Sequence, residues 1–138
     1  MQVLARSTRT APEAAAAVGA PLGAIVKTLV FRGTESARPL LALVSGANRA
    51  DEARLSAELG ERVERPDGAW VREVTGFAIG GIPPVGHAVE LPALVDEDLL
   101  AFAEVWCAAG TPNTLFGIAP GDLVRVTGAR VAQIGERG

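Results

Sequence analysis

The chain has 138 residues and a mass of 14.2 kDa, with 49% hydrophobic residues, 21% charged residues and a mean hydropathy of +0.27. That length suits one compact domain burying roughly two-thirds of its unfolded surface, and the composition is too apolar for a disordered chain. A formal net charge of -3 excludes a protein that grips long nucleic acid through a uniformly basic surface.

Met1–Thr10 carries Arg6 and Arg9 with no apolar core behind them, which is not the pattern of a signal peptide. Thr10-Ala-Pro-Glu13 has the form of a capping box with Pro12 in the first turn. The alanines at 14–17 continue that helix and Gly19 stops it. Ile25–Arg32 alternates branched and aromatic residues, Gly33–Ser36 is turn chemistry, and Pro39–Ser45 returns, which predicts a hairpin over 25–45. Asn48 or Asp51 starts a helix with Ala53, Leu55 and Leu59 facing inward, and Gly60 closes it. Glu61–Arg65 reads as short and extended. Asp67 then caps a helix carrying Trp70, Val71 and Val74, which Gly76 ends.

Phe77–Ile79 leads into Gly80-Gly-Ile-Pro-Pro-Val-Gly-His87, where glycines and prolines forbid a regular element and predict a shaped loop. Val89–Val95 is strand-like despite Pro92, and Asp96 caps a single helical turn. Ala103–Ala108 is a further strand, Gly110–Asn113 a turn, and Thr114–Ile118 a strand. Pro120 opens a helix through Val126 that Gly128 ends, and Ala129–Ile134 closes the chain. About six or seven strands and about four short helices without βαβ alternation predict class α+β. The expected architecture is a mixed sheet or partial barrel with helices on one side, forming one domain over 1–138.

Cys107 and His87 are the only residues of their kinds, so neither an internal disulfide nor a Cys/His metal site can form. A reducing, cytoplasmic setting is expected, and apolar runs fall far short of the ~20 residues of a membrane span. Charge is uneven. Residues 1–72 carry nine Arg and one Lys against eight acids, whereas residues 73–138 carry three Arg against eight acids. A polyanion would therefore meet the first half, locally, as at a short RNA end rather than along a DNA duplex. Lys27 stands inside the apolar run Ile25–Phe31, an expensive place for an ammonium unless it has a partner or points into a cleft; a snorkelling edge-strand lysine is the alternative.

Serine-hydrolase elbows, P-loops and dinucleotide fingerprints are absent from the sequence. In the 80–87 loop, Gly80 and Gly81 let a ligand approach the backbone and Pro84 stiffens it, so rigid N–H groups could hold an ester carbonyl and its developing oxyanion. A tight connection between strands is the plainer reading of the same residues. His87 is the chain's one conventional general base, or else a hydrogen-bonded structural residue. Asp96-Glu97-Asp98 reads as a helix cap with favourable first-turn charge, Cys107 as core, and Asn113 as a turn residue that could point into a neighbouring cleft.

The T-A-x-E-A-A helix, the strand I-V-K-T-L-V-F at 25–31, the loop G-G-I-P-P-V-G-H at 80–87, A-G-T-P-N at 109–113 and P-G-D-L-V-R-V-T-G-A at 120–129 stand in one order. Together they resemble the YbaK/ProX/EbsC-like family, aminoacyl-tRNA editing domains related to the insertion domain of bacterial prolyl-tRNA synthetase. The resemblance spans about residues 10–134. It implies an α+β domain that hydrolyses, in trans, the ester of a mischarged tRNA, typically proline tRNA carrying alanine, cysteine or a similar small residue. It also implies no cofactor. The family's lysine falls on Lys27 and its GxxxP loop on Gly80 to Pro84. Lys27, Gly80 and Gly81 become the catalytic set: the lysine engages the terminal phosphate or adenosine, and the loop positions the carbonyl. Pro83, Pro84, His87 and Asn113 become substrate-binding candidates. Many members carry Ser where this chain has Pro83. The implied partners are the aminoacylated 3′ end of tRNA and prolyl-tRNA synthetase, with no membrane and no DNA. Water assisted by the substrate's own neighbouring hydroxyl, or a substrate thiol, is the implied nucleophile, so the lack of a protein base is consistent. A non-catalytic module that holds an aminoacyl-tRNA end or an amino-acid-like ligand is the alternative, and a hydrolase or sensor for a small ester or amide is a third reading.

Overall fold

A computed structural model describes residues 2–3, 10–77, 82–87, 91–110 and 114–137. Among the described residues, ten short strands and four α-helices follow one another in an α+β order. The strands are β1 (Gln2–Val3), β2 (Val26–Gly33), β3 (Pro39–Ser45), β4 (Asn48–Ala50), β5 (Val63–Glu64), β6 (Ala93–Asp96), β7 (Val105–Ala108), β8 (Thr114–Ile118), β9 (Arg130–Ala132) and β10 (Gly135–Arg137). The helices are α1 (Ala11–Val18), α2 (Glu52–Leu59), α3 (Gly68–Thr75) and α4 (Pro120–Thr127). Single 3-10 turns occupy Leu22–Ala24 and Glu97–Ala101.

The main sheet is mixed, in the order β5-β2-β3-β6-β9. β5, β2 and β3 pair antiparallel, whereas β3, β6 and β9 run parallel. A three-stranded sheet, β1-β8-β7, and a ribbon of β10 with β4 stand beside it. The expected hairpin over 25–45 is the centre of this arrangement, with Lys27 opposite Val44 and Phe31 opposite Leu40.

Strand alternation sorts the apolar side chains onto two faces. Val26, Val30, Leu41, Leu43 and Val95 join Val71 of α3, Leu123 of α4, and Val105 and Cys107 of β7. Phe31, Leu40, Ala42, Val44 and Leu94 join Leu55 of α2 and Ile134. Helices therefore cover both faces, not one side as the sequence suggests. No local pattern says which face a helix will take, because each amphipathic stripe fits either. Burying each of the larger side chains contributes roughly 1.5–3 kcal/mol. Cys107 is fully buried, and desolvation pushes its thiol pKa up to about 12, consistent with a core role.

Local chemistry sets the helix ends. Thr10, Asp51 and Asp67 each accept a backbone N–H of the first turn, and all four helices stop at a glycine in the left-handed region: Gly19, Gly60, Gly76 and Gly128. The Thr10 hydroxyl also donates to the Glu13 carboxylate at 3.0 Å. Several boundaries depart from the sequence reading. Asn48 belongs to β4, so α2 starts from Asp51, and Ala53 faces solvent while Leu55 is buried. β6 begins at Ala93, beyond Pro92, and the tail forms two short strands. The strands beyond the six or seven expected have only two or three residues each, too short for an alternation signal.

Glu61 locks the β2–β3 turn. Its Oε1 accepts the N–H groups of Glu35 and Ser36, both at 3.0 Å, and its Oε2 accepts from Arg38 at 3.1 Å. The Ser36 hydrogen bonds are the main reason its pKa is lowered to about 2. A depressed carboxylate contributes stability above its unfolded pKa, and that contribution fades as pH falls through the folded value. Following the Glu35 and Ser36 amide shifts by NMR should therefore give a midpoint near 2. A midpoint near the ordinary 4.5 would show that the lock is not formed in solution.

Candidate active site

Lys27 sits on β2 where, from Val26 to Phe31, no strand pairs with the outer edge among the described residues. Its side chain is half-buried, and Nζ donates a hydrogen bond to the backbone oxygen of Asn48. The lysine is thus anchored rather than trailing into water. Burial lowers its pKa below the usual 10.5; nearby Asp96 opposes that shift, and the Arg65 guanidinium adds to it.

Behind Asn48 lies a polar network. Asp96, 1% exposed, accepts the Ser45 N–H at 3.0 Å and the Asn48 Nδ2 at 2.9 Å through Oδ2, and the Asp98 N–H at 3.1 Å through Oδ1. Asn48 Nδ2 also donates to Asp98 at 2.8 Å. Gly135 closes over this group so tightly that a Cβ there would stand 2.5 Å from Asp96 Oδ2. Asp96 is the cap that the sequence indicates, but it also fixes the residue that holds Lys27. Sequence reasoning missed that second role. The signal was slight: an Asp closing an apolar strand, whose partners are 48 and 51 positions away.

Lys27 lines a cleft of about 370 Å³ formed by the start of α1 (Thr10, Pro12), Ile25–Leu29, Gly46, Ile82, Trp106 and Leu115. Most of its wall is apolar, and no carboxylate, imidazole or thiol lines it among the described residues. Thr28, the next residue of β2, also lines this cleft, and its Oγ1 is buried with no hydrogen-bond partner among the described residues; the sequence reading did not single it out. A buried hydroxyl left unpaired costs about 1–3 kcal/mol.

Gly80, Gly81 and Asn113 lie outside the described residues. Of the rest of the loop, Ile82 is buried and reaches the cleft wall beside Lys27. Pro83 and Pro84 are buried and do not line that wall; Val85 and Gly86 are exposed, and Gly86 turns with φ +85°. His87 Nε2 donates to the Pro83 carbonyl at 2.6 Å, and its ring stands edge-on to Phe77 with centroids 6.3 Å apart. The imidazole closes the turn from 83 to 87, and Nδ1 is left as its remaining hydrogen-bonding atom. The structure thus brings Lys27 and Ile82 together on one cleft, whose wall does not include Pro83, Pro84 or His87. Among the described residues no group of His, Cys, Asp and Glu could hold a metal ion, and no helix is long and apolar enough to cross a membrane.

A family model described as an aminoacyl-tRNA editing domain matches residues 5–126. The chain belongs to that family. By class it is an aminoacyl-tRNA deacylase, an ester hydrolase acting on aminoacyl-tRNA. A solved structure described as a candidate trans-editing enzyme for prolyl tRNA synthetase is similar at 52% identity and a TM-score of 0.92, covering 98% of this chain and 85% of that one. EbsC of Enterococcus faecalis (strain ATCC 700802 / V583), named as a candidate Cys-tRNA(Pro)/Cys-tRNA(Cys) deacylase, is 26% identical over 91% of this chain and 76% of its own length. A proline–tRNA ligase of Thermoanaerobacter sp. (strain X514) is 30% identical over 71% of this chain, a stretch that is 17% of the ligase. The expected membership in the editing family and the α+β fold are both borne out.

Proposed function

We propose that the whole chain, 1–138, acts in trans on proline tRNA that carries a wrong, small amino acid such as alanine or cysteine. Water adds to the ester carbonyl, the tRNA 3′ oxygen leaves with a proton, and the products are free amino acid and intact tRNA. Lys27 holds the terminal phosphate or adenosine, and N–H groups at Gly80 and Gly81 receive the carbonyl oxygen. Pro83, Pro84, His87 and Asn113 shape the surroundings of that loop, with His87 as the secondary candidate, lining the pocket or orienting a water. An ester is already activated, so position and a dry wall can suffice without a protein base.

The observation that supports this reading is the shared cleft: an anchored ammonium and the described beginning of the glycine loop, at Ile82, line one apolar hollow that no carboxylate or imidazole enters among the described residues. Its volume of about 370 Å³ suits a small side chain together with part of the terminal nucleoside. The cytoplasm is the setting, and prolyl-tRNA synthetase is the partner that produces the substrate.

Initial hydrolysis rates on Ala-, Cys-, Ser-, Thr- and 2-aminobutyryl-tRNA of proline identity test it. At least one of the small side chains should be cleared faster than the correct prolyl ester by about tenfold or more, the discrimination a methylene-sized pocket difference can supply. Binding of all these tRNAs with no hydrolysis above background would replace the enzyme with a non-catalytic binding module.

A further inference from the structure

We propose that a second cleft, adjoining the first at Lys27 and Leu29, is a phosphodiester seat for the single strand that leads into the aminoacylated end; the proposal rests on the deacylase reading. This hollow of about 570 Å³ shares Lys27 and Leu29 with the first cleft, so the two adjoin at those side chains, where the last residue of a strand and the residues before it could be divided between them. Its floor is Leu29 and the buried Phe31. Lys27, Arg49 and Arg65 supply three cations to its walls, against the carboxylates of Glu52 and Glu136. In a chain of net charge -3 that is a local excess of positive charge.

The two arginines are also poorly committed to the protein. The Arg65 guanidinium lies 5.3 Å from the centroid of the Phe31 ring, and no carboxylate pairs with it among the described residues. It also acts on Lys27 as a like charge, an arrangement that an anion between the two would relieve. Arg49 meets Glu136 at 3.4 Å, but both side chains are largely exposed, at 71% and 51%, and such a pair is weak enough to exchange for a phosphate. Guanidinium groups over an apolar floor suit a ribose-phosphate backbone, and the two carboxylates can accept ribose hydroxyls. An acidic peptide would offer those carboxylates only repulsion.

The test uses the full chain, the double variant Arg49→Gln/Arg65→Gln and a control, Arg125→Gln on α4. Affinity for a short uncharged single-stranded RNA ending in CCA (one carrying no amino acid) is measured against salt, with circular dichroism to confirm the fold. The double variant should bind about tenfold more weakly at low salt, and its slope of log K against log salt should flatten by about 1.4, as when two phosphates of a single strand give up their cationic partners. The control should match the wild type. On misacylated tRNA the double variant should lose through KM, and by at least about fivefold more than it loses on an aminoacyl-adenosine, which has no phosphodiester. Unchanged affinity and slope, no RNA binding by the wild type, or equal losses on both substrates would overturn the seat. Salt-dependent binding that needs both arginines, with no ester hydrolysed by the wild type, would keep the seat and remove the deacylase reading. Hydrolysis by the wild type with an indifferent double variant would do the reverse.

Discussion

Lys27→Ala should slow deacylation of misacylated proline tRNA by about tenfold to a hundredfold while leaving the domain folded. A hydrogen bond to a charged group is worth about 1.5–3 kcal/mol, and that range sets the scale. The fold should survive because Lys27 is half-buried on an open strand edge and its hydrogen bond reaches a backbone carbonyl, so no side chain of the apolar core loses a partner. Lys27→Arg should not restore the rate. A planar, forked guanidinium cannot take the place of a compact ammonium seated against the Asn48 carbonyl. The wild-type rate should also fall on the alkaline side at a pH below the usual lysine value of 10.5, because burial lowers this pKa and the charged form is lost earlier. Stopped-time deacylation assays over pH measure all of this. Full activity in a folded Lys27→Ala protein would remove the lysine from the mechanism.

Asp96→Ala should be the most destabilising single change near the site, by about 3–5 kcal/mol in a denaturant titration. The mechanism is the removal of one acceptor from three donors. Ser45 N–H, Asp98 N–H and Asn48 Nδ2 all point at this carboxylate, and Ser45 and Asn48 are themselves buried. Each buried donor left unpaired costs about 1–3 kcal/mol, and Asn48 keeps one partner in Asp98. Against a total stability of about 5–15 kcal/mol for a domain of this kind, such a loss is a large fraction. Whatever remains folded should bind RNA ends more weakly, because the Asn48 carbonyl that steadies Lys27 loses its own support. An unfolding midpoint indistinguishable from wild type would show that the network is not a structural hub.

Much of the local structure is legible in the chain itself. Thr10, Asp51 and Asp67 announce helix starts because a short polar side chain before an apolar stretch has one cheap thing to do, which is to accept a first-turn N–H. Four glycines announce the stops. The hairpin over 25–45 follows from period-two alternation around a turn, and Lys27 stands out because an ammonium in such a strand needs a reason. Asn48 misleads, since the same side chain that caps helices also satisfies a buried carboxylate across the sheet. Ala53 misleads because an alanine on a short helix is too small to mark a face.

By itself, the sequence determined the caps, the turns, the central hairpin, the α+β class and the presence of one misfit cation, all of which depend on residues within a few positions of each other. Only the tertiary structure decided that helices cover both faces, that Asn48 and Asp96 stand behind Lys27, and that α1, Ile82, Trp106 and Leu115 close a cleft around it. Those outcomes follow from strand register and from packing between residues tens of positions apart. Local pattern cannot encode them, because an amphipathic element specifies that it must be covered and leaves open by what.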